Sequence, residues 1–291
     1  MNTTFVSQDM KDFEIDTKIG LLSTLNKENL PHITLITTLQ ANTSDTLIWG
    51  AFTEGCSKIH VQQNPNTGFL ILTPDRSMWR GKAQWTHARQ EGDEFILMNS
   101  KPLFRYNSYF GIHTVHYMNL IETYGRESLP LGQIVPAMIL SSLLKKFMKK
   151  STPAPVFTPW IINLLDRLDT IKCLAYRDET GYPRLMPLLQ CRTLDSQRLV
   201  FSTLAYHREL STIPNNQSVA IFALNMKMES ILLRGHLNAI QPFSALNAGP
   251  VSSLNSALSI GIIDVSWVYN SMPPKQGQIY PPIPIQPIQE Y

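Results

Sequence analysis

The chain has little of what marks a secreted, membrane-spanning or metal-built protein. Its 291 residues include three cysteines, Cys56, Cys173 and Cys191, far apart and with no Cys-x-x-Cys pair. That argues against both a disulfide framework and a structural zinc site and makes a reducing cytoplasm the expected location. The N-terminus, MNTTFVSQDMKDFEID, is polar and acidic instead of basic then apolar, unlike a secretory signal. The longest apolar run, IVPAMILSSLL, is too short to span a bilayer and contains Pro136, so no membrane partner is expected. Charge of one sign is equally scarce. The 25 basic and 22 acidic residues leave a formal charge of +3, and nothing in that balance calls for nucleic acid. Apolar residues are plentiful at 43%, enough for one large core or two of ordinary size.

The chain reads as two copies of one text. IGLLSTLNKENLPHITL from Ile19 aligns without a gap on IKCLAYRDETGYPRLMP from Ile171, matching Leu22 with Leu174 and Pro31 with Pro183. At the same offset TLIWGAF meets RLVFSTL, and after small shifts NPNTGFLIL meets NNQSVAIFAL, WRGKAQW meets LRGHLNA, and GIHTVHYM meets GIIDVSWV. Several matches in unchanging order point to an internal duplication. Both copies consist of short runs rich in Ile, Leu, Val, Thr and aromatics, bounded by Asn, Asp, Gly and Pro, which predicts mainly β structure closed into a small barrel or sandwich. Between them QIVPAMILSSLLKKFMKK has helical periodicity with lysines in its last turns. STPAPVFTP then breaks it, and WIINLLDRLD reads as a helix leading into the second copy. The expected division is a first barrel over 1–126, a helix and Pro-rich linker over 127–160, and a second barrel over 161–291. Its tail beyond Met272 is expected to run extended without a regular ladder.

Leu30-Pro31, HITLITT, Phe52-Thr53, Ser57-Lys58, Asn64-Pro65 and Gly81-Lys82-Ala83 follow one another in the first copy. In that order they resemble the FMN-binding split barrels related to pyridoxamine 5'-phosphate oxidase. The resemblance covers Ile19 to about Glu122. It implies a fold of two tandem FMN-binding split barrels, mainly β with flanking helices. Members of the family pair as homodimers with flavin between two barrels, so a chain with both copies would form an intrachain pseudo-dimer. The second copy departs from the pattern: Ala205 stands in place of Thr53, and Tyr206-His207-Arg208-Glu209 in place of Ser57-Lys58. One flavin site per chain is therefore expected, built on the first copy and completed by the second.

A flavin phosphate is a dianion that needs donors aimed at a small volume. With Ser57 as an N-cap, the unsatisfied N–H groups of a helix start would point at such an anion. The Ser57 and Thr53 hydroxyls add neutral donors and Lys58 a charged one. Arg80 and Lys82, two apart on a strand, share a face; they read either as an extension of that positive rim or as ordinary surface charges. The resemblance places the strand Thr34–Thr38 and Phe52 beside the flavin ring. Thr34, Ile36 and Thr38 would lie on one side of that strand, Leu35 and Thr37 on the other. Thr34 stands where the oxidase subgroup carries a phosphate-binding arginine. Trp267, in the second copy, reads as a cover for the flavin or as β-core aromatic packing. His113 and His116, three apart on a strand, face opposite ways and make no shared metal site. Cys56 reads as a packed thiol or as a nucleophile with no assigned base, and the Lys145, Lys146, Lys149 and Lys150 cluster as a solvated helix end or a contact for anionic lipid.

The resemblance thus implies FMN as cofactor and a flavin-dependent oxidoreductase. Its partner would be a small-molecule substrate or electron donor such as NADH or NADPH, and no catalytic acid or base is named by these motifs. The alternative is a non-catalytic module on the same fold that senses or stores haem or flavin.

Overall fold

The computed structural model describes residues 1–15, 17–52, 55–101, 111–148, 155–238, 240–242, 259–272 and 276–284. The chain is mainly β, as expected. In chain order the first strands are β1 (Ile19–Leu25), β2 (Pro31–Leu35), β3 (Gln40–Thr43), β4 (Thr46–Ala51), β5 (Asn66–Leu72), β6 (Ser77–Arg89), β7 (Thr114–Thr123) and β8 (Glu127–Ser128). They form one antiparallel sheet in the order β2-β1-β5-β6-β7-β4-β3, with β8 added beside β6. The remaining strands are β9 (Ile171–Arg177), β10 (Pro183–Pro187), β11 (Arg192–Thr193), β12 (Arg198–Ser202), β13 (Gln217–Leu224), β14 (Ser230–Leu237), β15 (Gln241–Pro242), β16 (Ser259–Asn270) and β17 (Gly277–Tyr280). Their order is β10-β9-β13-β14-β16-β12-β11, with β15 and β17 on β16. Along these seven-strand paths the second sheet repeats the first, and the added strands differ: β8 joins β6, whereas β15 and β17 join β16, the counterpart of β7.

The likeness extends to single hydrogen bonds. At the β1–β2 turn, Asn26 Oδ1 accepts from the backbone N–H groups of Glu28 at 3.0 Å and Leu30 at 2.8 Å. Asn29 takes a left-handed φ of 60° there, which asparagine tolerates. At the β9–β10 turn Asp178 Oδ1 accepts from Thr180 N–H at 3.0 Å and Tyr182 N–H at 3.1 Å, and Gly181 holds a φ of 85°. The repeated Arg-Gly has an equally local cause. A Cβ on Gly81 would lie 2.0 Å from the Glu122 carbonyl oxygen, and one on Gly235 would lie 2.1 Å from that of Asp264. Both glycines sit beside register shifts, in β6 and β14, where the neighbouring strand comes close.

The chain divides into two compact units, Met1–Pro130 with Leu174–Met186, and Leu131–Cys173 with Pro187–Tyr291. In the first unit, strand alternation sends Leu47, Trp49 and Ala51 of β4 into a cluster with Phe69, Trp79 and Met118, while Ile48 joins Met98, Ile112 and Val115 in another. Helices α1 (Ser7–Asp12), α2 (Cys56–Gln63) and α3 (Asp93–Ser100) belong to this unit. The second unit holds α4 (Leu131–Phe147), α5 (Pro159–Asp166) and the one-turn α6 (His207–Leu210). Leu140 and Leu144 of α4 pack on Leu194, Val200 and Ile260. Thr158 caps α5 by accepting from Ile161 N–H at 3.3 Å, with Pro159 in the first turn where no N–H is needed.

One expectation is corrected here. The chain after Met272 does enter a ladder, since β17 pairs antiparallel with β16. Gly277 to Tyr280 form a proline-free stretch whose N–H groups can all serve in pairing. Residues 285–291 of the tail lie outside the described residues.

Candidate functional site

Helix α2 carries the first group of predicted residues, and the structure moves its start. The helix begins at Cys56 with Gly55 as N-cap and no side-chain cap. Ser57, expected as the N-cap, is instead the second helical residue. Its hydroxyl has taken a tertiary partner: Ser57 Oγ and Thr34 Oγ1 lie 2.5 Å apart, with Ser57 only 3% exposed. Of two hydroxyls sharing one bond, one donates and the other accepts, so the accepting hydroxyl keeps its own proton for a third group. The N–H groups of Cys56, Ser57 and Lys58 belong to the first turn, where the helix itself supplies no acceptor. One turn on, His60 Nδ1 lies 3.0 Å from Thr24 Oγ1, and its ring meets His32 edge to face at 5.1 Å. Ser57 and Val61 are the buried residues of α2, so polar contacts at Ser57 and His60, three apart on one side, help to fix the helix on β1 and β2.

Lys58, half-buried, acts on an aromatic group in β4, β6 and β7. The His116 ring is stacked on Trp49 at 3.8 Å with the planes 2° apart. Its Nδ1 accepts from Trp85 Nε1 at 3.2 Å. Burial, followed by the charges of Lys58 and His113, brings the His116 pKa from 6.5 down to about 4. His116 is therefore a neutral, buried acceptor, while His113 is exposed. Among the described residues no group of His, Cys, Asp and Glu is arranged to hold a metal ion.

The neighbouring strand is shorter than predicted. β2 ends at Leu35, and Ile36 to Leu39 form a turn whose bonds run from Ile36 N–H to Gly20 O at 2.7 Å and from Leu39 N–H to Ile36 O at 3.1 Å. Gly20 is the reason the turn can close over β1, since a Cβ there would lie 2.3 Å from Ile36 O. The alternation expected through Thr38 therefore stops at Leu35. Ile36 packs on the first unit's core. Thr37 is half-buried in the turn. Thr38 is buried, its hydroxyl donating to Gly50 O at 3.0 Å and accepting from Gly50 N–H at 2.9 Å. Phe52 packs beside Ile48, Met98 and Ile112. Thr53 lies outside the described residues.

Arg80 and Lys82 share a face of β6, where both are buried and paired with carboxylates. Arg80 makes a two-pronged pair with Glu127, Nε to Oε2 at 2.8 Å and Nη2 to Oε1 at 3.1 Å, and lies over the Tyr124 ring. Lys82 Nζ lies 2.6 Å from Asp178 Oδ2 and 3.1 Å from Glu122 Oε1, and donates to Thr180 Oγ1 at 3.1 Å. Arg184 meets the same two carboxylates at 3.1 and 3.4 Å. Both predicted cations are therefore held by acids. The Lys82, Asp178, Glu122 and Arg184 cluster escaped sequence reasoning. Its one visible signal was the aspartate at 178 where the first copy has Asn26.

Trp267, in the second unit, is engaged within its own sheet. Its Nε1 donates to Gln278 Oε1 at 2.9 Å, Arg234 lies 3.5 Å from its ring centre, and Tyr269 stacks beside it at 5.1 Å. Of the predicted residues, Thr34, Ser57 and Lys58 thus gather around the start of α2, whereas Arg80, Lys82 and Trp267 have other partners. The matching segment of the second unit is unlike α2. It makes the single turn α6, preceded by Tyr206 in a left-handed conformation, and Ala205 is buried.

No protein-family profile matches the chain, and no curated protein matches it in sequence. Solved structures do align with part of it. HupZ of Group A Streptococcus is 15% identical over 41% of this chain and 93% of its own, with a TM-score of 0.35. An FMN-binding protein from Syntrophomonas wolfei is 18% identical over 42% of this chain and 83% of its own, with a TM-score of 0.34. General stress protein 26 from Bacillus anthracis is 14% identical over 42% of this chain and 97% of its own, with a TM-score of 0.30. No described helix is long and apolar enough to cross a membrane.

Proposed function

We propose that the first unit is a split barrel that binds flavin mononucleotide and that the protein is a flavin-dependent oxidoreductase. The observation that carries this reading is the Thr34–Ser57 hydroxyl pair at the start of α2. A terminal phosphate suits that place on chemical grounds. First-turn N–H groups favour an anion, the hydroxyl pair has a proton to give, and Lys58 brings a positive charge to the same turn. Riboflavin lacks the phosphate, so these donors would select the mononucleotide over it. Bound there, flavin would supply hydride chemistry at N5, with the protein providing binding and orientation. Lys58 would balance the phosphate charge, and Ile36 and Thr37 would border the ring as the turn leaves β2. The common strand order, the Asn26 and Asp178 turns and the paired bulge glycines support an origin by internal duplication.

The test is a visible spectrum of the purified chain, followed by titration with FMN, FAD and riboflavin under fluorescence. Bands near 370 and 450 nm and at least about tenfold weaker riboflavin binding are expected. A Soret band, or equal affinity for riboflavin and FMN, would overturn the assignment. Anaerobic mixing of the flavin-loaded protein with NADH or NADPH then asks for turnover. Bleaching supports the oxidoreductase, and inertness toward both points to another reductant or to a carrier.

A further inference from the structure

Among the described residues, one side of helix α4 is left uncovered. Its positions from Leu131 to Lys146 that recur every three or four residues line a cavity of about 530 Å³ within the second unit, with Leu168 and Leu189 also in its wall. Val135 is 50% exposed, Ile139 60%, Leu143 39% and Leu168 75%. Contiguous apolar surface of this kind marks a binding surface more often than chance exposure, and the volume lies in the range of small-ligand sites. Leu131 and Lys146 are 15 residues apart, so at 1.5 Å per residue the groove runs about 22 Å along the helix.

Its polar groups restrict the occupant. Ser142 is committed, donating from Oγ to Met138 O at 2.8 Å. Lys145, beside the groove, is bound to Asp166 and to Thr193 Oγ1. Among the described residues the remaining polar side chain in the lining is Lys146, exposed in the last turn of α4; Lys149 and Lys150 lie outside the described residues. An extended peptide would bring main-chain N–H and C=O groups for which this lining has no matching donors and acceptors. A compact polar metabolite would leave most of a long apolar trough wet. What complements an apolar channel with a cation at its end is a long apolar chain with an anion at its end. We propose that the α4 groove binds a single long-chain carboxylic acid, its alkyl chain along Val135, Ile139 and Leu143 and its carboxylate at Lys146. The inference does not depend on flavin binding.

Calorimetric titration of the full chain with dodecanoate and with dodecyltrimethylammonium, both below their micelle concentrations, tests it. These amphiphiles share a chain and differ in head-group charge. One saturable dodecanoate site is expected, with the cationic amphiphile about tenfold weaker or more. Ile139→Glu should weaken both by about tenfold or more, and Val135→Glu provides the same test should Ile139→Glu fold poorly. Lys146→Glu should weaken dodecanoate alone and narrow or reverse the head-group preference. The absence of a saturable site, or indifference to head-group charge, overturns the proposal. So does sedimentation with phosphatidylserine vesicles without dodecanoate binding, which would make the groove a membrane-surface contact. A chain dimer abolished by Ile139→Glu, again without dodecanoate binding, would assign it to a second copy and equally overturn the proposal.

Discussion

Lys82→Met separates two roles that the primary structure leaves superposed at this position, phosphate ligand and scaffold. The substitution keeps most of the apolar stem and deletes the charge that lies 2.6 Å from Asp178 and 3.1 Å from Glu122. Removing one partner of a fully buried ion pair costs about 3–5 kcal/mol, because the other charge stays behind. Here the loss is smaller: Glu122 is 22% exposed, and Arg184 still reaches both carboxylates. A destabilisation of about 2 kcal/mol at pH 7 is expected, read as a fall in the urea midpoint at unchanged slope. The pH dependence gives a second reading. Burial alone would raise the Asp178 pKa, but hydrogen bonds from Lys82, Thr180, the Tyr182 N–H and Arg184 outweigh it and bring it from 3.8 to about 2. A folded-state pKa below the unfolded value contributes stability that is present above about pH 4 and lost as the pH falls toward 2. The gap between wild type and variant should therefore narrow across that window. FMN affinity should stay within about threefold. An unchanged midpoint together with a tenfold or greater loss of FMN would refute the reasoning and make Lys82 a phosphate ligand after all.

Lys58→Glu reverses a charge beside the proposed phosphate, so FMN affinity measured by fluorescence titration should fall more than about tenfold; an unchanged affinity removes Lys58 from the site. His116 has a folded pKa of about 4, below its unfolded 6.5, so the unfolded chain binds the extra proton first. Stability should fall by up to roughly 3 kcal/mol as pH drops from about 6.5 to 4. Its Hε1 resonance should titrate near 4, and upward of that in Lys58→Gln; a midpoint near 6.5 would contradict the buried stack on Trp49. Gly81→Ala places a Cβ 2.0 Å from the Glu122 carbonyl oxygen, a backbone atom that cannot swing aside. Thermal unfolding should report about 3 kcal/mol of lost stability, and a loss under about 1 kcal/mol would show that the strand accommodates the methyl.

The parts of this fold that could be read in advance are those whose cause lies within a few residues. Asn26 and Asp178 close their turns with the next residues' own N–H groups, so the turn, the strands beside it and the repeat were legible together. Glycines 81 and 235 marked a recurring motif, although the carbonyls they admit sit on another strand. The start of α2 lies two residues before the expected one because Ser57 had two outlets for its hydroxyl: a local cap and Thr34, 23 residues away in sequence. Nothing in the local text ranks those two. The end of β2 was hidden for a similar reason. Thr34 to Thr38 is good strand sequence, and the turn after Leu35 depends on the missing side chain at Gly20 on the adjoining strand. The charges were hardest, since Lys82 meets Asp178 and Thr180 only after folding. Yet the two copies, compared, held a clue that neither held alone. An asparagine suffices for the turn, because Asn26 makes both turn bonds through Oδ1. Asp178 makes the same bonds through Oδ1 and turns Oδ2 to Lys82 and Arg184. A charge that the local turn does not need implies a partner elsewhere in the fold, and in a repeated chain such surplus groups stand out as departures between otherwise matching copies.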